Sequence, residues 1–203
     1  KEVFPISIER RDSSLFVDFG KEIYAGLKFT TVSGHGKLAV YYGESLEEAE
    51  SVDRCVLLDT ALIEEGRSAY DLPLRAFRYA NVIFDKGIAL EGLSALFEYL
   101  PLEYRGSFKC SDPRMNEIWE VSRYTLHLNT REFFLDGIKR DGWVWSGDAY
   151  QSFLLNYYVF FDEAVNRRTL TALRGKDPVT GHINTILDYS FYWFMGLSDH
   201  YFY

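Results

Sequence analysis

Ser111-Asp112-Pro113-Arg114-Met115-Asn116-Glu117-Ile118-Trp119 marks the point at which this chain changes secondary structure. A serine or aspartate before proline is a helix start. The side-chain oxygen accepts a bond from an otherwise unpaired backbone N–H, and proline loses nothing at the first helical position. Downstream, apolar and small residues recur at Met115, Ile118, Trp119, Ser122, Leu126 and Asn129, which is the helical period. A second helix is expected to begin near Asp148 and run through Phe161. It is apolar on nearly every side, so it should be packed on all faces. Asp162 is placed to cap a third helix reaching Arg174-Gly175, and residues 176–181 read as a loop. A fourth helix is expected from Tyr189 to the aromatic end Tyr201-Phe202-Tyr203, which reads as a cut inside an element.

Upstream of Ser111 the period is two. Ser14-Leu15-Phe16-Val17-Asp18-Phe19-Gly20 alternates and meets a glycine, and residues 27–32, 37–42, 78–84 and 93–100 are further strand-like runs. Ser33-Gly34-His35-Gly36 and Asp85-Lys86-Gly87 read as turns between them. Short strands at this spacing predict an antiparallel β-sandwich. Glu47-Glu48-Ala49-Glu50 reads as a helical or loop insert with a solvated acidic face. Strands followed by helices, rather than alternating with them, predict two domains. They are drawn at 1–104 and 105–203.

Composition narrows the function. Of 203 residues, 47% are hydrophobic and 26% charged, a globular balance that excludes a disordered chain. No uncharged apolar run reaches the roughly 18 residues of a membrane span. The net charge is −8 and no basic patch stands out, so no nucleic-acid partner is expected. Cys55 and Cys110 are far apart and expected to be buried free thiols. His35, His127, His182 and His200 are scattered without metal-ligand spacing, so neither metal nor cofactor is expected.

The chemistry concentrates between the first two expected helices, in Asp136-Gly137-Ile138-Lys139-Arg140-Asp141-Gly142-Trp143-Val144-Trp145-Ser146-Gly147-Asp148. A loop joining helices has no need of tryptophan, and one with two is either packed down or binds something flat. Carboxylates accept hydrogen bonds from vicinal hydroxyls, Lys139 and Arg140 can donate, and indole rings stack on the C–H face of a pyranose. A glycosidase needs one carboxyl that gives a proton to the leaving oxygen and a second carboxylate opposite it. Asp141 sits between Arg140 and the aromatic cluster, with Asp136 and Asp148 five and seven positions away. Neighbouring anions and the tryptophans favour its keeping a proton, and Arg140 opposes it. The blander reading is a helix cap at Asp148, a turn at Asp136-Gly137 and a surface ion pair between Arg140 and Asp141. Tyr189, Tyr192 and Trp193 read as core residues.

At this segment the sequence resembles the bacterial α-L-rhamnosidases of glycoside hydrolase family 78. Their signature is an Asp, an Arg-Glu pair, a Trp and a Gly-Asp, and Asp136, Arg140-Asp141, Trp145 and Gly147-Asp148 stand at the corresponding spacings. Ser111-Asp112-Pro113, Asn116, Ile118-Trp119 and Asn129 are similar to the family's first barrel helix. Val17-Asp18-Phe19-Gly20 with Ala25-Gly26, Tyr42-Gly43-Glu44 and Phe77-Arg78-Tyr79 extend the resemblance into the β half. It implies an inverting hydrolase in which a β-sandwich precedes an (α/α)6 barrel, here its first helices. It implies that Asp141 stands where the family has its general-acid Glu, a side chain shorter by roughly 1.5 Å. It also implies that Asp136, Arg140, Trp145 and Asp148 hold the rhamnose ring, and that the general base lies beyond Tyr203. The partner is then a rhamnose-containing glycoside or polysaccharide, in a periplasmic or secreted setting. The alternatives are a glycosidase of the same barrel type acting on another glycoside, and a non-catalytic carbohydrate-binding protein, the latter motivated by Asp at 141.

Overall fold

The computed structural model describes residues 1–30 and 32–203, which divide into two compact units, Lys1–Glu98 and Tyr99–Tyr203. The division falls ahead of the 104/105 boundary drawn from sequence. Residues 99–112 have no regular structure, yet they are tied to the helices that follow them.

The first unit is an antiparallel sheet. Its strands are β1 (Glu2–Val3), β2 (Ser7–Arg11), β3 (Ser14–Ser33), β4 (Gly36–Gly43), β5 (Leu57–Ile63), β6 (Tyr70–Phe84) and β7 (Ala89–Phe97). The short helix α1 (Leu46–Glu50) follows β4, capped by Ser45, where the acidic insert was expected. A sandwich expectation implies two packed sheets. Hydrogen bonding instead joins all seven strands into one, in the order β1-β7-β3-β6-β4-β5, with β2 also paired to β3. The reason is β3. It is 20 residues long and changes neighbours along its length, from β2 at Ser14–Asp18 to β7 at Ala25–Ser33. Gly20, read from sequence as the end of a strand, lies inside it. Its φ of 81° sits where the β3–β6 register shifts between Asp18 and Ile23, the signature of a bulge that bends a strand without ending it.

One shared core fills this unit. Leu15, Val17, Phe19, Ile23, Ala25, Leu27 and Phe29 of β3 alternate inward and meet Leu38, Val40 and Tyr42 of β4, Phe77, Ala80 and Val82 of β6, and Leu90, Leu93 and Ala95 of β7. Asp18 and Arg78 join β3 to β6. The Arg78 Nε and Nη2 donate to the two Asp18 carboxylate oxygens at 2.9 and 3.0 Å, and Asp18 Oδ1 also accepts the Gly20 N–H at 2.6 Å. The Arg78 hydrogen bonds hold the Asp18 carboxyl below its ordinary pKa against partial burial.

The second unit is helical. It comprises α2 (Pro113–Asn129), α3 (Ser146–Val159), α4 (Glu163–Arg174) and α5 (Leu187–Phe202). The two caps expected from sequence are present. Asp112 accepts the Arg114 N–H at 2.9 Å, and Asp162 accepts the Val165 N–H at 2.9 Å. Gly175, with φ 72°, ends α4. The unit's core is Leu126, Phe134, Ala149, Phe153, Val159, Phe160, Val165 and Leu170. The leading segment is stitched onto it. His127 bonds the Leu100 carbonyl at 2.7 Å and the Tyr104 hydroxyl at 2.6 Å, and the Arg105 and Gly106 N–H groups both reach the Val159 carbonyl. A Cβ at Gly106 would overlap the Tyr158 carbonyl oxygen, so only glycine allows this approach.

Two expectations need correcting. Helix α3 is not packed all round: its buried residues are Ser146, Ala149, Phe153, Asn156 and Val159, one face at helical spacing, and Tyr158 is 70% exposed. Its sequence is apolar on every side, but neighbouring elements of this chain cover only that face. Cys55 and Cys110 are half-buried thiols rather than fully buried ones. No helix among the described residues is long and apolar enough to cross a membrane.

Candidate active site

The loop between α2 and α3 holds Asp136, Arg140, Asp141 and Trp145, and Asp148 follows in the first turn of α3. Its base is closed by a reciprocal pair: the Asp136 N–H donates to the Trp143 carbonyl at 3.0 Å, and the Trp143 N–H donates to Asp136 Oδ1 at 2.8 Å. Gly142, with φ 59°, supplies the turn that brings these ends together. One oxygen of the Asp136 carboxylate is therefore committed to backbone.

The candidate acid lies on the tip of this ring. Asp141 is exposed, with Arg140 Nε 3.9 Å from its Oδ1, and the Arg140 side chain is 86% exposed. That is a loose surface ion pair with little stabilising value. Trp143 is 62% exposed beside it.

The remaining candidates stand at the head of α3. Trp145 is half-buried, and the edge of its ring meets the Tyr189 ring of α5, with centroids 5.9 Å apart and planes at 83°. Tyr189 also covers Gly147, whose missing Cβ would lie 3.4 Å from the ring. Asp148 is exposed in the first turn of α3, where the helix dipole favours an anion. It is not the cap of that helix. The cap position is Trp145, which offers no side-chain bond. Of the bland readings, the ion pair is present in loose form and the cap is absent, while the chain reverses at Gly142 rather than at Asp136-Gly137.

The candidates thus fall into two groups: Asp136, Arg140 and Asp141 in the closed ring, and Trp145 and Asp148 at the helix head. Three residues that support the second group escaped the sequence reading. Ser146 Oγ donates to the Tyr189 carbonyl at 2.7 Å. Asn184 Oδ1 accepts the Ser146 N–H at 2.9 Å, and its Nδ2 donates to the Val144 carbonyl at 3.0 Å. Tyr189 reads as a core residue from its spacing and instead touches the candidate tryptophan. Its aromatic ring was the available signal. For Asn184, far along the chain, there was none.

Residues 1–82 match the family described as alpha-rhamnosidase-like, bacteroidetes, N-terminal. Residues 103–195 match the bacterial alpha-L-rhamnosidase 6 hairpin glycosidase domain. Each of the two units thus matches a domain of the rhamnosidase type. A GH78 family rhamnosidase of Bacillus sp. GL1 shares 25% identity and a TM-score of 0.78, over 92% of this chain and 21% of that one. A rhamnosidase from Klebsiella oxytoca with rhamnose bound shares the fold at 22% identity and a TM-score of 0.79, over 96% of this chain and 45% of that one. A Streptomyces avermitilis α-L-rhamnosidase complexed with L-rhamnose gives 15% identity and a TM-score of 0.65, over 86% of this chain and 18% of that one. No curated protein matches. The chain spans less than half the length of these family structures. Its two units are an antiparallel β-sheet domain and a helical region resembling the start of the six-hairpin domain.

Proposed function

We propose that this chain carries the acid half of an inverting glycosidase that hydrolyses terminal α-L-rhamnosides. In this reading the β unit is the sandwich-like domain that precedes an (α/α)6 barrel, and α2 to α5 are the barrel's first helices. Asp141 gives its proton to the glycosidic oxygen. Asp136, Arg140 and Asp148 hold sugar hydroxyls, and Trp145 walls the ring. A general base from beyond residue 203 activates water on the opposite face. An inverting geometry puts that base roughly 6.5–9.5 Å from Asp141. The setting is periplasmic or secreted.

The observation that carries the reading is the position of Asp141 in a chain whose two units match domains of the rhamnosidase type. Its carboxyl stands exposed on the tip of a loop whose base is locked by Asp136 and Trp143. An aspartate falls short of the family's glutamate by one methylene, and exposure at a tip leaves room for a substrate to come to it.

The test is Asp141→Asn in the full-length protein. Loss of a general acid costs about 10²–10⁴ in turnover. The loss should be larger for an alkyl α-L-rhamnoside than for a nitrophenyl one, whose leaving group needs no proton, while L-rhamnose binding by calorimetry persists. Turnover of both substrates near the unaltered level removes Asp141 from the mechanism. Binding without turnover by the unaltered protein favours the carbohydrate-binding alternative. Turnover of a different aryl glycoside from a panel favours another glycosidase.

A further inference from the structure

The head of α3 lacks a cap of its own, and its unpaired N–H is served from elsewhere in the chain. Asn184 lies in a one-turn 3-10 helix at Ile183–Thr185, and both Asn184 and Thr185 have left-handed backbones, with φ of 51° and 64°. Asparagine tolerates that region, but a β-branched threonine does so only under constraint. Strain of this kind persists where the surroundings over-determine it, and it clusters at functional sites. Here the left-handed turn aims the Asn184 amide at the loop. Its oxygen takes the Ser146 N–H and its nitrogen the Val144 carbonyl, so one side chain bridges both neighbours of Trp145. A primary amide copies the donor and acceptor of a peptide group, and both ends are used. The turn itself is fixed by the Ile183 N–H donating to Ser190 Oγ at 3.0 Å and by the Thr185 N–H donating to the His182 carbonyl at 2.9 Å.

We infer that Asn184 is a positioning residue of the sugar site, a clamp that fixes Trp145 and the first turn carrying Asp148. The inference rests on the proposed function for its consequence on catalysis, but not for its consequence on Trp145. Asn184 touches backbone only, so it acts on the sugar through the residues it holds. Tyr189 completes the clamp from the other side, through its ring on Trp145 and its carbonyl on Ser146 Oγ.

Two variants of the full-length protein test it. Asn184→Gly keeps the left-handed backbone and removes both bonds, and Asn184→Asp keeps the acceptor for Ser146 and loses the donor to Val144. Each is produced with 5-fluorotryptophan, and the Trp145 line is assigned with Trp145→Phe. The Gly variant should shift or broaden the Trp145 fluorine resonance and lower kcat/KM for an aryl α-L-rhamnoside at least tenfold. The Asp variant should fall between it and the unaltered protein in both readouts. A Trp145 line that stays in place in the Gly variant overturns the clamp. So does a general loss of structure in which every tryptophan line moves in both variants. If the unaltered protein leaves the rhamnoside intact while the Trp145 line still moves, the proposed function fails and the clamp stands.

Discussion

Asp18 and Arg78 show what a single pair of residues contributes here. Both lie in segments that sequence resemblance had singled out, without a reason for either. The reason is a two-pronged ion pair between β3 and β6, next to the bulge at Gly20. With side chains 17% and 36% exposed, the pair is partly screened. Arg78→Leu should therefore cost about 1–2 kcal/mol at neutral pH, less than a fully buried charged hydrogen bond. The pH dependence has a definite sign. The folded-state pKa of Asp18 lies below its unfolded value of about 3.9, so the contribution is complete above that value and fades as pH falls through the lowered one. Urea unfolding of the two proteins should give a constant gap from pH 5 to 8 that narrows below about pH 4. A gap unchanged to pH 2 would remove the carboxylate from the account. The candidate site divides the same way between legible and hidden residues. Asp136 to Asp148 could be found because they are contiguous. Asn184 could not, because its meaning lies in two backbone groups 38 and 40 positions earlier.

Among the elements, the starts of α2 and α4 and the stop of α4 were legible because they are local chemistry, whereas α3 and α5 begin without a side-chain cap. Asp112-Pro113 and Asp162 with Gly175 need only their own neighbours to act. The length of β3 was not legible, since a glycine inside a strand and a glycine after one look alike until the partner strand is known. Nor was the burial of α3 and α5, which depends on what lies against them. The meeting of these two helices turns on Gly196. A Cβ there would come within 2.7 Å of Phe153 Cε2, and Phe153 is fully buried. Alanine raises helix propensity by about 0.5–1 kcal/mol, but overpacking costs about 1–3 kcal/mol. Gly196→Ala should accordingly lower the unfolding temperature in calorimetry. Gly181→Ala, with open space around its Cβ, should leave it nearly unchanged. Equal stability of all three proteins would mean that Phe153 moves aside freely.

Over the whole molecule, each unit has a core of its own, among the described residues twenty in the sheet and eight in the helices. The helical unit leaves many apolar side chains in solvent, among them Ile118 and Val121 of α2 and Phe191 and Phe194 of α5. Produced separately, residues 1–98 should unfold cooperatively. Residues 99–203 should bind a hydrophobic dye strongly and self-associate at micromolar concentration. Dye binding no greater than that of residues 1–98 would contradict the exposure of α2 and α5. The ring closed by Asp136 and Trp143 has a consequence for how such a protein changes over time. Arg140 and Asp141 stand exposed at its tip, outside the packing that decides whether the helices form, so substitutions at these two leave folding nearly untouched. Selection can then rewrite the tip as an exchangeable cassette, trying a shorter acid or a different hydroxyl contact, while the scaffold beneath it keeps its own sequence.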